Sequence, residues 1–303
     1  MSVPETLDLG GLSMRLWRRD HPEATAHTPL LLFLHGTLDT GRSWDAVVDA
    51  IVARDVVRTV AVDMRGHGQS SAGGPGASHH ILDFTKDTAG VIHALEAQGT
   101  PVHTLVGHSM GANIALMLAG AWPSRIKGLV LVDGLGPPPE DAEDQPERLG
   151  VLLDAVVSEK KPFAPVNSID DAIDRLRRLN PGLSMTGARR MLEHALVRDD
   201  DGALRFPFDR RLRGPTPVRH PEAMWAAFCA RVGAGGVRSV VVRASFGYLP
   251  EGDAAGTLGS PFDSRLAALG GQLVQIEGPH HLHVEAPEAV ADAVARAGWR
   301  GVG

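Results

Sequence analysis

The sequence predicts an α/β protein: a mostly parallel central sheet with helices on both faces, interrupted by a helical insertion. Three observations carry this. Short continuous apolar runs at residues 29–34, 56–62, 102–106 and 126–132 alternate with segments of helical spacing, the pattern of buried strands joined by crossover helices. From residue 136 to about residue 235 the alternation stops, and only helical segments follow. It resumes at residue 237 with two more strand signals and a closing helix.

Composition sets the outer bounds. The 303 residues are 43% apolar, ample for a sizeable core in one large domain with an insertion. A net charge of -6 gives no general attraction to nucleic acid or to anionic membranes, so neither is an expected partner. The lone cysteine, Cys229, allows no internal disulfide. It is expected to be a small core residue in a reducing, cytoplasmic compartment. The first ten residues lack the basic flank and apolar stretch of a signal peptide, and no segment has the length of a membrane span.

Taken in order, residues 6–9 and 13–17 alternate apolar and polar around Gly10-Gly11, which signals a hairpin. The run 29–34 predicts a central strand ending at His35-Gly36-Thr37. Trp44, Val47, Val48 and Ile51 give residues 43–54 helical spacing. The strand 56–62 closes at Asp63, which is expected to anchor its own turn, and a glycine-rich loop follows. Ile81, Phe84, Val91, Ile92 and Leu95 predict a helix over 78–98. The strand 102–106 and a helix over 112–119 flank Gly107-His108-Ser109-Met110-Gly111, and the strand 126–132 ends at Asp133. These elements make residues 1–135 the first part of the core.

Pro137-Pro138-Pro139 ends the regular pattern. Helices are expected at 149–157, Ile169–Leu179, 186–197 and 221–232, within an insertion spanning 136–235 of nearly balanced charge. Arg205, Arg210, Arg211, Arg213 and Arg219 read there as a solvated loop. Residues 236–303 complete the core, with strands at 237–243 and 272–277, a helix at 262–269, and a last helix at 287–297 that carries proline in its first turn.

The chemistry centres on G-x-S-x-G in its strand–turn–helix setting. The turn is too sharp for side chains on both flanks, so glycines stand two residues either side of Ser109. The serine backbone also sits at a helix N-terminus, where free N–H groups favour developing negative charge. A serine hydroxyl needs a base within hydrogen-bond reach, an acid to orient that base, and donors for the oxyanion. Thr37, Ser109 and Asp133 all fall at carboxyl ends of predicted strands, where ligands bind in such sheets. Two backbone N–H groups are expected to form the oxyanion hole, those of Met110 and Thr37. Of 14 histidines, His280 lies in the loop after the last strand. His281 and His283 beside it leave a metal cluster or surface loop open, but no cysteine or carboxylate stands at ligand spacing, and no metal is expected. His108, inside the elbow, is expected to be structural, and His35 and His67 to hold their loops.

Four blocks together resemble the α/β-hydrolase superfamily: LLLFLHGTLD at 30–39, AVDMRGHGQS at 61–70, LVGHSMGANIAL at 105–116 and IEGPHHLHVEAPEAV at 276–290. HGTLDTGRSWD and GPHHLHVEAPE look most like its serine hydrolase-like branch. The resemblance implies the α/β-hydrolase fold, with the insertion as the family's cap. It implies Ser109 as nucleophile. In the family the catalytic histidine usually lies five residues before a glutamate, and counting back from Glu285 gives His280 as base. The acid departs from the pattern. Most members carry it just after the strand at 237–243, but residues 243–248 hold no carboxylate. Asp133 is one candidate, Glu251 or Asp253 in the longer loop another, and a histidine without an acid the third.

The expected function is a serine hydrolase acting on an ester, thioester or lactone of a mostly apolar, small to medium substrate, with no metal or organic cofactor. Trp225 and Phe228, with Leu152 and Val156, are the expected lining of the substrate pocket. The alternative is a lyase, cyclase, carbon–carbon bond hydrolase or cofactor-free haloperoxidase-like enzyme on the same Ser/His scaffold. No feature of the sequence indicates an oligomeric state.

Overall fold

Each apolar run becomes a strand whose alternate side chains serve opposite faces of one sheet. The computed structural model describes residues 2–138, 142–158, 161, 163–198, 202–213, 220–248 and 261–299. Strands β1 (Val3–Asp8) and β2 (Ser13–Asp20) form the predicted hairpin, with Gly10 and Gly11 at φ of 73° and 95° in its turn. Then come β3 (Leu30–Leu34), a 3-10 turn at Gly41–Trp44, α1 (Asp45–Val52), β4 (Arg58–Asp63), α2 (Ile81–Ala97), β5 (Val102–His108), α3 (Met110–Ala121) and β6 (Gly128–Val132). The inserted segment holds α4 (Gln145–Val157), α5 (Ile169–Leu179), α6 (Met185–Leu192), a two-stranded ribbon of β7 (Val197–Arg198) and β8 (Leu204–Arg205), and a 3-10 turn at Arg210–Arg213. After α7 (Glu222–Ala234) the chain returns through β9 (Arg238–Phe246), α8 (Pro261–Leu269), β10 (Gln272–Pro279), α9 (Leu282–Glu285) and α10 (Pro287–Ala295).

The eight-stranded sheet has the order β1-β2-β4-β3-β5-β6-β9-β10. Only β1–β2 and β2–β4 pair antiparallel, and the five pairings from β4 to β10 are parallel. Leu30, Leu32 and Leu34 enter one core cluster with α2, α3, α7 and α8, while Leu31 and Phe33 enter the other with α1 and α10. Burying each such side chain stabilises the fold by roughly 1.5–3 kcal/mol relative to exposure. The parallel order turns the carboxyl ends of β3, β5, β6 and β9 to one rim.

The inserted segment is packed in two ways. Helices α5 and α6 form a cluster of their own around Val166, Ile173, Leu176, Met191 and Leu192, joined by Val284 from α9. Helix α7 instead sends Trp225, Cys229 and Val232 into the main core beside α3 and α8. Burial there pushes the Cys229 thiol up to about 12, so it stays protonated. The helix expected over 186–197 ends at Leu192, and Val197 enters the ribbon instead. Arg211 is only partly solvated: it donates to the carbonyls of Gly74 (2.8 Å), Ala72 (3.2 Å) and Ala77 (3.2 Å), clasping the glycine-rich loop after β4. Arg219 lies outside the described residues. No helix among the described residues is long and apolar enough to cross a membrane.

Candidate active site

The elbow between β5 and α3 is a strained turn held from both sides. Ser109 sits at φ 53°, ψ −114°, a conformation that L-residues seldom adopt and that costs about 1–3 kcal/mol. A side chain on Gly107 would collide with the Gly111 carbonyl, and one on Gly111 with the Leu34 carbonyl. The sheet over-determines the serine: its N–H donates to Val132 O at 3.0 Å, and its carbonyl accepts from Ala112 and Asn113 in the first turn of α3 at 3.1 and 3.2 Å.

Asp133, at the end of β6, has φ 46° and is fully buried. Its carboxylate accepts three hydrogen bonds: from Ala244 N–H at 3.2 Å, from Tyr248 N–H at 2.6 Å, and from His280 Nδ1 at 2.6 Å. The two backbone donors come from the stretch 243–248 that lacks an acid. Gly247 permits the approach, because a Cβ there would collide with Asp133 Oδ2. The loop after β9 thus presents donors to a carboxylate on the neighbouring strand. Glu251 and Asp253 lie outside the described residues.

His280 is half-buried, with Nδ1 turned to Asp133 and its backbone carbonyl accepting from His108 Nε2 at 3.0 Å. The His108 and His280 rings lie 4.6 Å apart. Gly134, next to Asp133, backs onto the Ser109 backbone: a Cβ on it would sit 2.7 Å from Ser109 O. Ser109, Asp133 and His280 therefore belong to one cluster at the rim of the sheet. Burial, then the neighbouring His283 and His280, holds His108 well below the usual histidine range. Burial, then the same crowding by His283 and His280, brings His281 down to about 4.

Thr37 is exposed after β3, and its hydroxyl donates to Met110 Sδ at 3.5 Å, so its loop lies against the elbow. A Cβ on Gly36 would sit 3.3 Å from Ser109 Cβ. Leu38 is held at φ 55° by its N–H donating to His67 Nε2 at 3.2 Å, while His67 Nδ1 donates to Arg65 O at 3.0 Å. Burial and the nearby His35 lower His67 to about 3. His35 donates through Nδ1 to Gly36 O and accepts at Nε2 from Met64 N–H. Asp63 spans two turns, accepting from Gln69 N–H and Gly41 N–H, and burial raises its carboxyl.

Of the two expected pocket residues, Phe228 lies away from this rim, whereas Trp225 packs beside the segment that follows Asp133. Trp225 is buried in the core with its ring against Gly136, and Phe228 rests on Gly120 near the end of α3 away from the elbow. Their apolar character serves the packing of α7. Leu152 is half-buried on α4, and the Val156 side chain lies outside the described residues. A crevice between the inserted segment and the loop after β3 is lined by Leu38, Leu176, Met191, Leu192, Phe206 and Phe208. Asp39, His108 and His283 offer ligand atoms within 4.8 Å of one another. Asp39 and His283 already bond each other, and His108 Nε2 is committed to the His280 carbonyl.

Residues 31–293 match the model of the alpha/beta hydrolase family. The chain is 28% identical over 280 residues to a serine hydrolase-like protein of Danio rerio, covering 89% of this chain and 81% of that one. It superposes on a hypothetical protein of Pseudomonas aeruginosa PAO1 with a TM-score of 0.81, 28% identity and 97% coverage of both chains. It superposes on the thioesterase domain from the curacin biosynthetic pathway with a TM-score of 0.81 at 24% identity, covering 97% of this chain and 99% of that domain, a likeness of fold.

Proposed function

Since the chain belongs to the alpha/beta hydrolase family, we propose that it is a serine hydrolase cleaving an ester, thioester or lactone of a mostly apolar, small to medium substrate through an acyl-serine. The observation that carries this reading is the strained Ser109 clustered with a histidine that is hydrogen-bonded to a buried aspartate. Asp133 holds Nδ1, which orients the ring and leaves Nε2 for the serine proton. Ser109 Oγ attacks the carbonyl carbon as Nε2 takes that proton. The N–H groups of Met110 and Thr37 hold the oxyanion, and the imidazolium is stabilised by Asp133. Collapse of the tetrahedral intermediate passes the proton to the leaving alcohol or thiol. Water, deprotonated at Nε2, then attacks the acyl-serine and releases the acid.

The insertion predicted over 136–235 serves as the cap, with α7 as its anchoring end. The reaction calls on no metal or organic cofactor. The test is turnover of an ester and thioester panel in 18O-labelled water. One labelled oxygen in the acid product, with burst release of the leaving group, is the expected result. Turnover without label points to a lyase or cyclase, and no turnover across the panel overturns the reading.

A further inference from the structure

Behind the reacting groups three loops are fastened by a second imidazole–carboxylate contact. His283, three residues after His280, is fully buried. Its Nε2 faces Asp39 Oδ2 at 3.2 Å and Ser43 Oγ at 3.1 Å. Asp39 stands two residues after Thr37 in the loop after β3, and it also accepts from Ser43 Oγ at 2.9 Å and Thr40 N–H at 2.8 Å. The His283 ring lies 4.8 Å from Trp44 and 4.3 Å from His108, which precedes Ser109 and donates to His280 O.

A carboxylate this deep is costly unless paired. Burial alone would raise the Asp39 carboxyl, but the hydrogen bond from His283 and the neighbouring charges outweigh it and hold it at about 2. Asp39 is therefore an ion that accepts only, so the proton lies on His283 Nε2. His283 Nδ1 is buried with no hydrogen-bond partner. The ring thus binds the fold through one nitrogen, and that nitrogen points across to the loop that carries Thr37.

We propose that Asp39 and His283 form a positioning pair that sets the distance between the Thr37 N–H and the His280 ring, and so controls the chemical step. The proposal rests on the reading of Ser109 and His280 given above. Both residues are buried, Asp39 at 3% and His283 at 0% exposure. Their effect comes through the loops they join, where a misplacement of about 1 Å costs about a hundredfold in rate.

The test compares wild type, His283→Leu, His283→Gln and Asp39→Asn. Saturating fluorophosphonate labelling counts working sites, and kcat and KM for a short-chain ester are then expressed per labelled site, well below the unfolding temperature. His283→Leu should lower kcat per site by about 10–100-fold with KM within about threefold. His283→Gln keeps an N–H for Asp39 and should recover most of that loss. Asp39→Asn should fall in between, and it decides the matter if His283→Leu does not fold. A purely structural role predicts lower thermal stability with unchanged kcat per labelled site, and that outcome overturns the proposal. Equal losses in the Leu and Gln variants also overturn it. If wild type takes no label, the Ser109 reading fails and this proposal falls with it, whereas variants that turn over at the wild-type rate overturn the pair alone.

Discussion

Residues 107–136 and the helix α4 that follows them are near neighbours in the chain, and they are built to different rules. In the first stretch almost every backbone group is spoken for. Ser109 and Asp133 occupy positive φ, Gly107, Gly111 and Gly134 leave no room for a Cβ, and the Asp133 carboxylate carries three donors. In α4 no described side chain is buried, and Leu149, Val151, Leu153 and Val157 are exposed. Strain persists only where the surroundings over-determine it, so the sheet rim can hold a reactive geometry. A segment outside the sheet escapes that constraint and is free to change with the ligand.

The largest effect that would sharpen this contrast is at the elbow. Ser109→Ala should lower ester turnover by about 10⁴-fold or more while leaving the circular dichroism spectrum intact. Asp133→Asn should cost about 10²–10⁴-fold in kcat, because the amide disturbs the tautomer and orientation of His280. Next comes a pair of matched glycine substitutions. Gly247→Ala drives a methyl into Asp133 Oδ2 and should lower kcat by about 10–100-fold through displacement of that carboxylate. Gly150→Ala in α4 meets nothing within 4 Å and should stabilise the protein by about 0.5–1 kcal/mol in denaturant titrations, with kcat on a short-chain ester unchanged. Equal outcomes for the two glycines would break the comparison.

A further expected effect, independent of the elbow, is on stability against pH. His67 and His281 titrate near 3 and 4 in the folded chain, well below the usual histidine value of 6.5, with burial as the leading cause in both. Between about pH 4 and 6.5 the unfolded chain therefore binds more protons, so stability is full above 6.5 and declines as pH falls through that window. Urea midpoints measured from pH 7 to 4.5 should drop steadily, and a flat profile would contradict the assignment of these two rings.

Much of the rim was legible because its chemistry is written in side chains. Apolar runs marked β3 to β6, the glycine spacing marked the elbow, and Asp133 fell at a strand end. The partner of His280 stays open from the sequence alone because the backbone N–H groups of Ala244 and Tyr248 that hold Asp133 carry no sequence signature. The Asp39–His283 contact was equally silent, since residues 244 positions apart meet only once the sheet is assembled. The apolar residues of α7 mark a buried face without saying what covers it, and in the fold Trp225, Cys229 and Val232 enter the main core. An apolar helix reads the same whether it faces a ligand or a core, and only the packing against Gly120 and Gly136 tells them apart. The ribbon of β7 and β8 was too short to leave a strand signal.

The central claim is that Ser109 is activated by His280 held on Asp133. The most direct measurement is the rate of fluorophosphonate labelling, read by intact mass and peptide mapping, in wild type, Ser109→Ala, His280→Ala and Asp133→Asn. The account predicts a single adduct at Ser109 in wild type, none in Ser109→Ala or His280→Ala, and sharply slowed labelling in Asp133→Asn. Labelling of Asp133→Asn at the wild-type rate, or no labelling of well-folded wild type, would contradict it.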